Sequence, residues 1–448
     1  MRFATSELAA ATGGTVVGDD VAVEGVSTDS RSIAAGQLFV PLVDHRDGHD
    51  YIGDAVAAGA PAYLTAGPII PGATAVVVGD PAAALVSIGK RSRDRLGDRV
   101  VGITGSVGKT TVKDLTAAAL GRAYRTWASA KSFNNEIGVP LTLANAPDGT
   151  EAVVVEMGAR GPGHIGSLCR FARPTVGLVT RVGQAHTEQL GGLDGVAAAK
   201  AELVESLPAG GTAVLNADDP RVAAMGGRTE ARVLLYGLFS GEVRATDVTM
   251  DELARPAFWV RTAAGSAEVR LQLHGHHQVS NAAGAIAAAL ALEVPLEAAV
   301  AGVSGVGPPE WRMSIRRLGS GAVVVDDSYN ANPTSVRAAL DALAAIEGER
   351  RIAVLGEMAE LGPTSDDDHR KIAEDAAALG IELLAYRTAA FGTEPVENGP
   401  GLLRRIGRLG PTDVVLVKGS RAAQMEKVVE MLTDPAPGSA PPTHFSPR

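Results

Sequence analysis

Short apolar runs bounded by turn residues recur along this chain, separated by stretches in which apolar residues return every three or four positions. The runs predict buried strands, and the wider spacing predicts helices with one apolar face. Up to about residue 97 the two patterns alternate over 6–11, 21–26, 51–58 and 75–78. From residue 98, runs at 99–103, 152–155, 176–179, 213–215 and 233–235 are interleaved with helical segments, which predicts a parallel sheet covered on both faces. From about Arg312, strands at 322–325, 352–355, 383–385 and 414–417 alternate with helices around 335–346, 367–379 and 421–432. That is a second doubly wound unit of Rossmann type. The expected organisation is α/β, with sections 1–97, 98–311 and 312–433. Residues 434–448, DPAPGSAPPTHFSPR, are proline-rich and predict a disordered tail.

A length of 448 residues suits about three domains. Aromatic residues make up only 4%, so the cores must be built from Ala, Val, Leu and Ile. The net charge of −10 argues against a nucleic-acid partner, which needs a basic face, but leaves anionic small substrates open. Cys169 is the single cysteine, so no intrachain disulfide can form and a reducing compartment is expected. The opening residues MRFATSELAAATGG lack the apolar core of a signal peptide. The Ala-rich stretch 281–303 is broken by Glu293, Pro295 and Glu297, so it cannot span a bilayer. The expectation is a cytoplasmic protein without membrane insertion.

The densest chemical signal is Thr104-Gly105-Ser106-Val107-Gly108-Lys109-Thr110-Thr111, which follows an apolar run and opens a helical pattern. Strand, glycine loop and helix are the context of a P-loop, where backbone N–H groups close around phosphate oxygens. Lys109 would reach the terminal phosphates and the Thr110 hydroxyl would sit on Mg²⁺. The strict motif fails by one position, since Ile103 stands where its first glycine belongs.

Ligands in open α/β sheets bind beyond the carboxyl ends of strands, so polar residues ending apolar runs come next. Glu156 ends the run at 152–155 and is placed either to hold Mg²⁺ or to cap the next helix. His186, in Gln184-Ala185-His186-Thr187-Glu188, is on spacing alone as readily structural as a ligand. Lys200 reads as a surface helix lysine. Asp326-Asp327-Ser328-Tyr329-Asn330-Ala331-Asn332-Pro333 crowds hydrogen-bonding groups onto one turn, more than turn chemistry needs. Lys418-Gly419-Ser420-Arg421 follows a strand and opens a helix, which suits an anion or a solvated face.

TGSVGKTT, NNEIGVP, VVEMGA, GQAHTE, AAKAEL, DDSYNANP, GEMAELG and LVKGSRAAQMEKVV occur in this order over about residues 1 to 432. Together they resemble the Mur ligases, ATP-dependent amide-forming enzymes of peptidoglycan precursor synthesis. The resemblance implies the three-domain Mur ligase architecture, with a P-loop central sheet and a Rossmann-like C-terminal domain. It implies ATP and two Mg²⁺ ions as cofactors, UDP-MurNAc-tripeptide and D-alanyl-D-alanine as substrates, and a monomer. A different amino acid or depsipeptide as acceptor is the alternative, and a binding protein that has lost ligation is a further one. Glu156 and His186 match metal ligands, and Lys200 matches a lysine that is carbamylated, so that it too ligates Mg²⁺. Lys109, Lys200 and His186 are the implied catalytic set. Asn281 matches a residue near adenine, Arg312 one that reaches phosphate, and Asp327 one that reaches ribose. Ser30 and Arg31, in Ser27–Arg31, and the stretch 47–50 resemble UDP-binding loops. Asn135, Tyr329, Asn330, Asn332, Lys418, Ser420 and Arg421 are the remaining implied substrate contacts. Three departures stand out: Leu42-Val43-Asp44-His45 replaces a stretch like LKGE, Gln278 replaces asparagine, and Trp311 replaces glycine.

Overall fold

A computed structural model describes residues 1–129, 132–184 and 187–433, and for 187–188 the backbone alone. The proposed tail and His186 lie outside the described residues. The centre of the molecule is a nine-stranded sheet. From one edge its strands are Gly265–Arg270, Pro256–Thr262, Val243–Met250, Arg232–Gly237, Thr212–Asn216, Val176–Val179, Arg99–Thr104, Ala152–Glu156 and Thr126–Ala128. The pairs from Val243–Met250 inward are parallel, whereas the last two outward are antiparallel. The hydrophobic pattern therefore located the buried parallel strands and missed this antiparallel extension. Its strands bury one face only, as in Val243–Met250, where Val243 and Ala245 are buried between exposed neighbours. Such strands alternate polar and apolar positions and give no continuous run.

Alternate residues of the central strands feed two cores. Val100, Val153 and Val155 join a cluster that continues through Leu203 and Val204 into the first section at Leu85, Ile88 and Phe3. Val101, Ile103 and Val154 face the other way, onto Val112 and Leu115 of helix Lys109–Leu120 and the alanines of helix His277–Ala291. Eight consecutive buried residues there, Ala282 to Ala289 with Gly284 among them, let the helix approach closely. A Cβ at Gly284 would come within 2.9 Å of the Tyr236 ring.

The first section carries a five-stranded sheet, Thr15–Val17, Thr74–Val77, Ala62–Thr65, Leu38–Phe39 and Val26–Ser27, beside a two-stranded ribbon of Arg2–Ala4 and Ala22–Glu24. The third carries Ser314–Arg317, Val323–Asp327, Asp413–Lys418, Arg350–Leu355 and Glu382–Ala385, parallel except for the first. Its expected strands are present, and Ser314–Arg317 is an added edge. Residues 421–432 are not one helix. A 3-10 turn at Arg421–Ala423 precedes a helix at Glu426–Thr433, because Gln424 adopts a left-handed φ of 51° that interrupts it.

Candidate active site

Strand Arg99–Thr104 delivers the glycine loop to the carboxyl edge of the central sheet, and helix Lys109–Leu120 starts at its far end. The two glycines that matter are Gly105 and Gly108. Gly105 has φ +149°, and a Cβ there would lie 1.9 Å from Thr180 Oγ1; Gly108 has φ +82°, and its Cβ would meet Asn281 Oδ1 at 2.6 Å. Ile103 is fully buried within the strand, so the missing motif glycine falls where a core residue belongs. The loop is pinned from the neighbouring strand: Ser106 N donates to Arg181 O at 2.8 Å, and Thr180 Oγ1 donates to Val107 O at 2.6 Å.

Glu156 ends its strand in register with Ile103 and is 1% exposed. Its carboxylate accepts from Thr110 Oγ1 and from Asn134 Nδ2, each at 2.8 Å. Lys109 Nζ donates to Gly105 O at 2.8 Å, and its pKa is lowered by burial, opposed by Glu156 and reinforced by Arg312. Lys200 is not a surface lysine. It is 3% exposed on helix Leu193–Glu205, on the same face as Val196, Leu203 and Val204, and it lines the cavity beside the P-loop. Burial, helped by the Lys109 charge, lowers its pKa to about 7, against the opposing pull of Glu202.

Across the cleft, the third section presents its own strand end. Asp327 and Lys418 are direct register partners on adjacent parallel strands, and Lys418 Nζ donates to Asp327 Oδ2 at 2.5 Å and to Asn330 O at 2.8 Å. The Lys418 ammonium is thus held by this pair inside the fold. Arg312 lies over the Tyr329 ring at 4.2 Å and donates to Ser132 Oγ at 3.4 Å, tying the third section to the loop before Asn134. Trp311 has φ +60°, the left-handed region that glycine adopts freely. Arg421 stacks on its ring at 5.0 Å and pairs with Glu426.

The P-loop edge and the Asp327–Lys418 edge line one cavity of about 1110 Å³ between the central and third sections. Gly105 to Thr111, Asn135, Glu156, Lys200, Asn281, Arg312, Asp327, Tyr329, Asn330, Asn332 and Lys418 all reach its wall. Thr104 does not, because its hydroxyl turns into the sheet and donates to Met157 O at 2.8 Å. Ser420 is buried and Arg421 is held on Trp311, and neither is part of the lining. Ser30 and Arg31 sit on the first section outside it, with Arg31 87% exposed and paired to Asp29. The side-chain carbonyls of Asn135 and Asn332 accept N–H groups at the starts of helices Gly138–Ala144 and Pro333–Ala345.

Sequence reasoning passed over Asn134, Asn216, Asp218 and His277, all on the cavity wall. Asn216 ends a buried strand and Asp218 follows it, so the rule that found Glu156 would have found them. His277 gave no signal; burial, against the pull of Asp327, lowers its pKa to about 4 and keeps the ring neutral.

The donors suit a hard cation. Glu156 and Thr110 bring carboxylate and hydroxyl oxygens to one point, the chemistry that Mg²⁺ selects. Among the described residues no three His, Cys, Asp or Glu side chains converge. No described helix is long and apolar enough to cross a membrane.

The Mur ligase middle domain matches residues 103–289, and the Mur ligase glutamate ligase domain matches residues 311–421. The UDP-N-acetylmuramoyl-tripeptide–D-alanyl-D-alanine ligase of Mycobacterium tuberculosis is 39% identical, over 93% of this chain and 94% of its own. The Escherichia coli enzyme of that name is 34% identical over 96% and 98%. A crystal structure of MurF from Acinetobacter baumannii superposes with a TM-score of 0.86 at 29% identity, covering 96% and 99%. MurF ligase from Thermotoga maritima in complex with ADP gives 0.80 at 26%, covering 91% and 97%. With its P-loop, its paired strand ends and these relatives along nearly its whole length, the chain belongs to the Mur ligase family of ATP-dependent amide-forming enzymes.

Proposed function

We propose that this protein joins D-alanyl-D-alanine to UDP-N-acetylmuramoyl-tripeptide at the expense of ATP, giving the pentapeptide precursor of peptidoglycan. The observation that carries the reading is the P-loop edge and the Arg312–Asp327 edge facing one cavity, in a chain whose relatives bear that enzyme's name. We assign the UDP-linked substrate to 1–97, ATP to 98–311 and the dipeptide to 312–433. Ser30, Arg31 and the 47–50 loop then serve the uridine end.

The peptide carboxylate attacks the γ-phosphate of ATP, giving an acyl phosphate and ADP. The dipeptide amine then attacks the acyl carbon, and phosphate leaves as the amide forms. The chain's own task is positioning and charge neutralisation. Lys109 and Arg312 approach the transferring phosphoryl group from opposite walls. Asn281, which lies against the P-loop, is assigned to the side of the base, and Asp327, hydrogen-bonded by Lys418, is assigned to the ribose. Glu156, Thr110, His186 and Lys200 as its carbamate would hold Mg²⁺, which supplies charge neutralisation on the phosphates when bound. A carbamate forms when a neutral amine adds to CO₂ and loses a proton, and a lysine lowered to about 7 offers that amine near neutral pH. Action as a monomer in the cytoplasm, where ATP and a UDP-linked precursor are available, is part of this reading.

The test is ADP release by purified protein with ATP, Mg²⁺ and UDP-MurNAc-tripeptide, comparing D-alanyl-D-alanine with free amino acids. Release should require both other substrates and favour the dipeptide. Faster turnover with a single amino acid would assign a different acceptor.

A further inference from the structure

Beyond the residues matched above, the carboxyl edge of the central sheet carries an exposed aromatic side chain. Phe239 is 86% exposed, the most exposed large apolar side chain among the described residues, yet it lines the same cavity as the P-loop. It sits on the turn after strand Arg232–Gly237, three strands across from Arg99–Thr104 in the sheet order. At about 4.8 Å per strand that separation is roughly 14 Å, a distance an extended nucleotide covers. The same cavity wall carries Asn216, Asp218, Gln278 and Asn281, and Asn281 lies against the P-loop at Gly108.

The turn is fixed rather than loose. Asp218 accepts from Leu238 N at 2.6 Å and from Phe239 N at 3.1 Å, while Asp218 N donates to Asn216 Oδ1 at 3.0 Å. A Cβ at Gly237 would lie 2.6 Å from Asp218 Oδ1 and 2.7 Å from Ser240 O, so only glycine lets the carboxylate close on the turn. A rigid backbone thus holds a bare ring at the cavity's rim. A ring face offers stacking to a base and nothing specific to phosphate or to a peptide carboxylate.

We infer that Phe239 is the stacking platform for the purine ring of the nucleotide, with Asp218 as the positioning residue that presents it. The inference rests on nucleotide binding at the P-loop as read above. Calorimetric titration of the full chain with ADP tests it. Phe239→Ala is expected to weaken ADP about tenfold, within the range for loss of one base–aromatic stack. It should raise KM for ATP by a similar factor with kcat unchanged, since stacking acts alike in ground and transition states. KM for the UDP-linked substrate and the melting midpoint of the ligand-free protein should stay put. Phe239→Tyr, which keeps the ring face, should bind ADP within about twofold of wild type. Phe239→Ala binding ADP as well as wild type, Phe239→Tyr failing to recover, or a loss accompanied by a lower melting midpoint would each overturn the assignment. Wild-type protein that bound no ADP would instead refute the nucleotide site itself.

Discussion

Two strand ends face each other across the cleft, and they are built by opposite means. The P-loop edge is contiguous: eight residues, Thr104 to Thr111, supply the backbone cradle, the lysine and the hydroxyl. Its glycines lie against Thr180 and Arg181, just past the adjacent strand, and against Asn281 of helix His277–Ala291. The third-section edge is assembled from strands that lie apart in sequence, Asp327 and Lys418 being 91 residues apart and joined only because their strands pair in parallel register. One edge is therefore a local motif set on a sheet. The other is a product of the sheet itself, and its charges are part of what holds that sheet end together. Function and stability should separate at the first edge and travel together at the second.

The largest expected effect tests the first half of that contrast. Lys109→Ala should lower ligation about a thousandfold, on the order of 4 kcal/mol of transition-state stabilisation, with an unchanged melting midpoint. A variant retaining more than about a tenth of wild-type turnover, only about 1.4 kcal/mol lost, would contradict the role given to this lysine.

Lys200 sharpens the comparison from the other side, since it is buried at the P-loop edge without belonging to the motif. Lys200→Ala should lose roughly a hundredfold in turnover, as for removal of one preorganised charge-stabilising group. Formate or acetate should restore part of it by filling the vacated oxygen position, whereas Lys200→Arg, which cannot be carbamylated, should stay inactive. Rescue of Lys200→Arg by the same anions, or full activity of Lys200→Ala without them, would remove the carbamate from the account.

At the second edge the expected loss is one of folding as much as of rate. Lys418→Met leaves Asp327 without its cation and should destabilise the protein by about 2–3 kcal/mol. Asp327 keeps 13% of its side-chain surface, which holds the figure at or just below the low end for buried pairs. Lys418→Met combined with Asp327→Leu should cost less than the sum of the two single variants in denaturant unfolding. Additive losses would mean that the two charges are not coupled through the fold.

The last effect is a slope, small over any one pH unit. In CO₂-free buffer the unmodified Lys200 amine titrates at about 7 in the folded chain, below its ordinary value near 10.4. Between those values the unfolded chain holds the extra proton, so stability rises with pH across that window and is flat below it. The stability difference between wild type and Lys200→Met should change by about 1.4 kcal/mol per pH unit there. Parallel curves for the two proteins would show that Lys200 titrates normally.

The order of motifs, the fully buried parallel strands of both large sheets and the chemistry of the P-loop were legible along the chain, because each is written in neighbouring residues. A buried strand is an apolar run, and a phosphate cradle is a glycine loop between a strand and a helix. Glu156 was legible for the same reason, as the polar end of a run. Lys200 was not, although it shares a helical face with Val196 and Leu203, since spacing marks a face without saying that a lysine there is sealed from water. The antiparallel strands of 243–270 were hidden by one-sided burial, and the turn of Thr104 into the sheet by a hydroxyl that could have pointed either way. What the sequence determined alone is what local spacing encodes. What tertiary structure decided is which charges meet: the Asp327–Lys418 pair and the depressed amine of Lys200 beside Lys109 exist only once strands and helices distant in the chain exclude water between them.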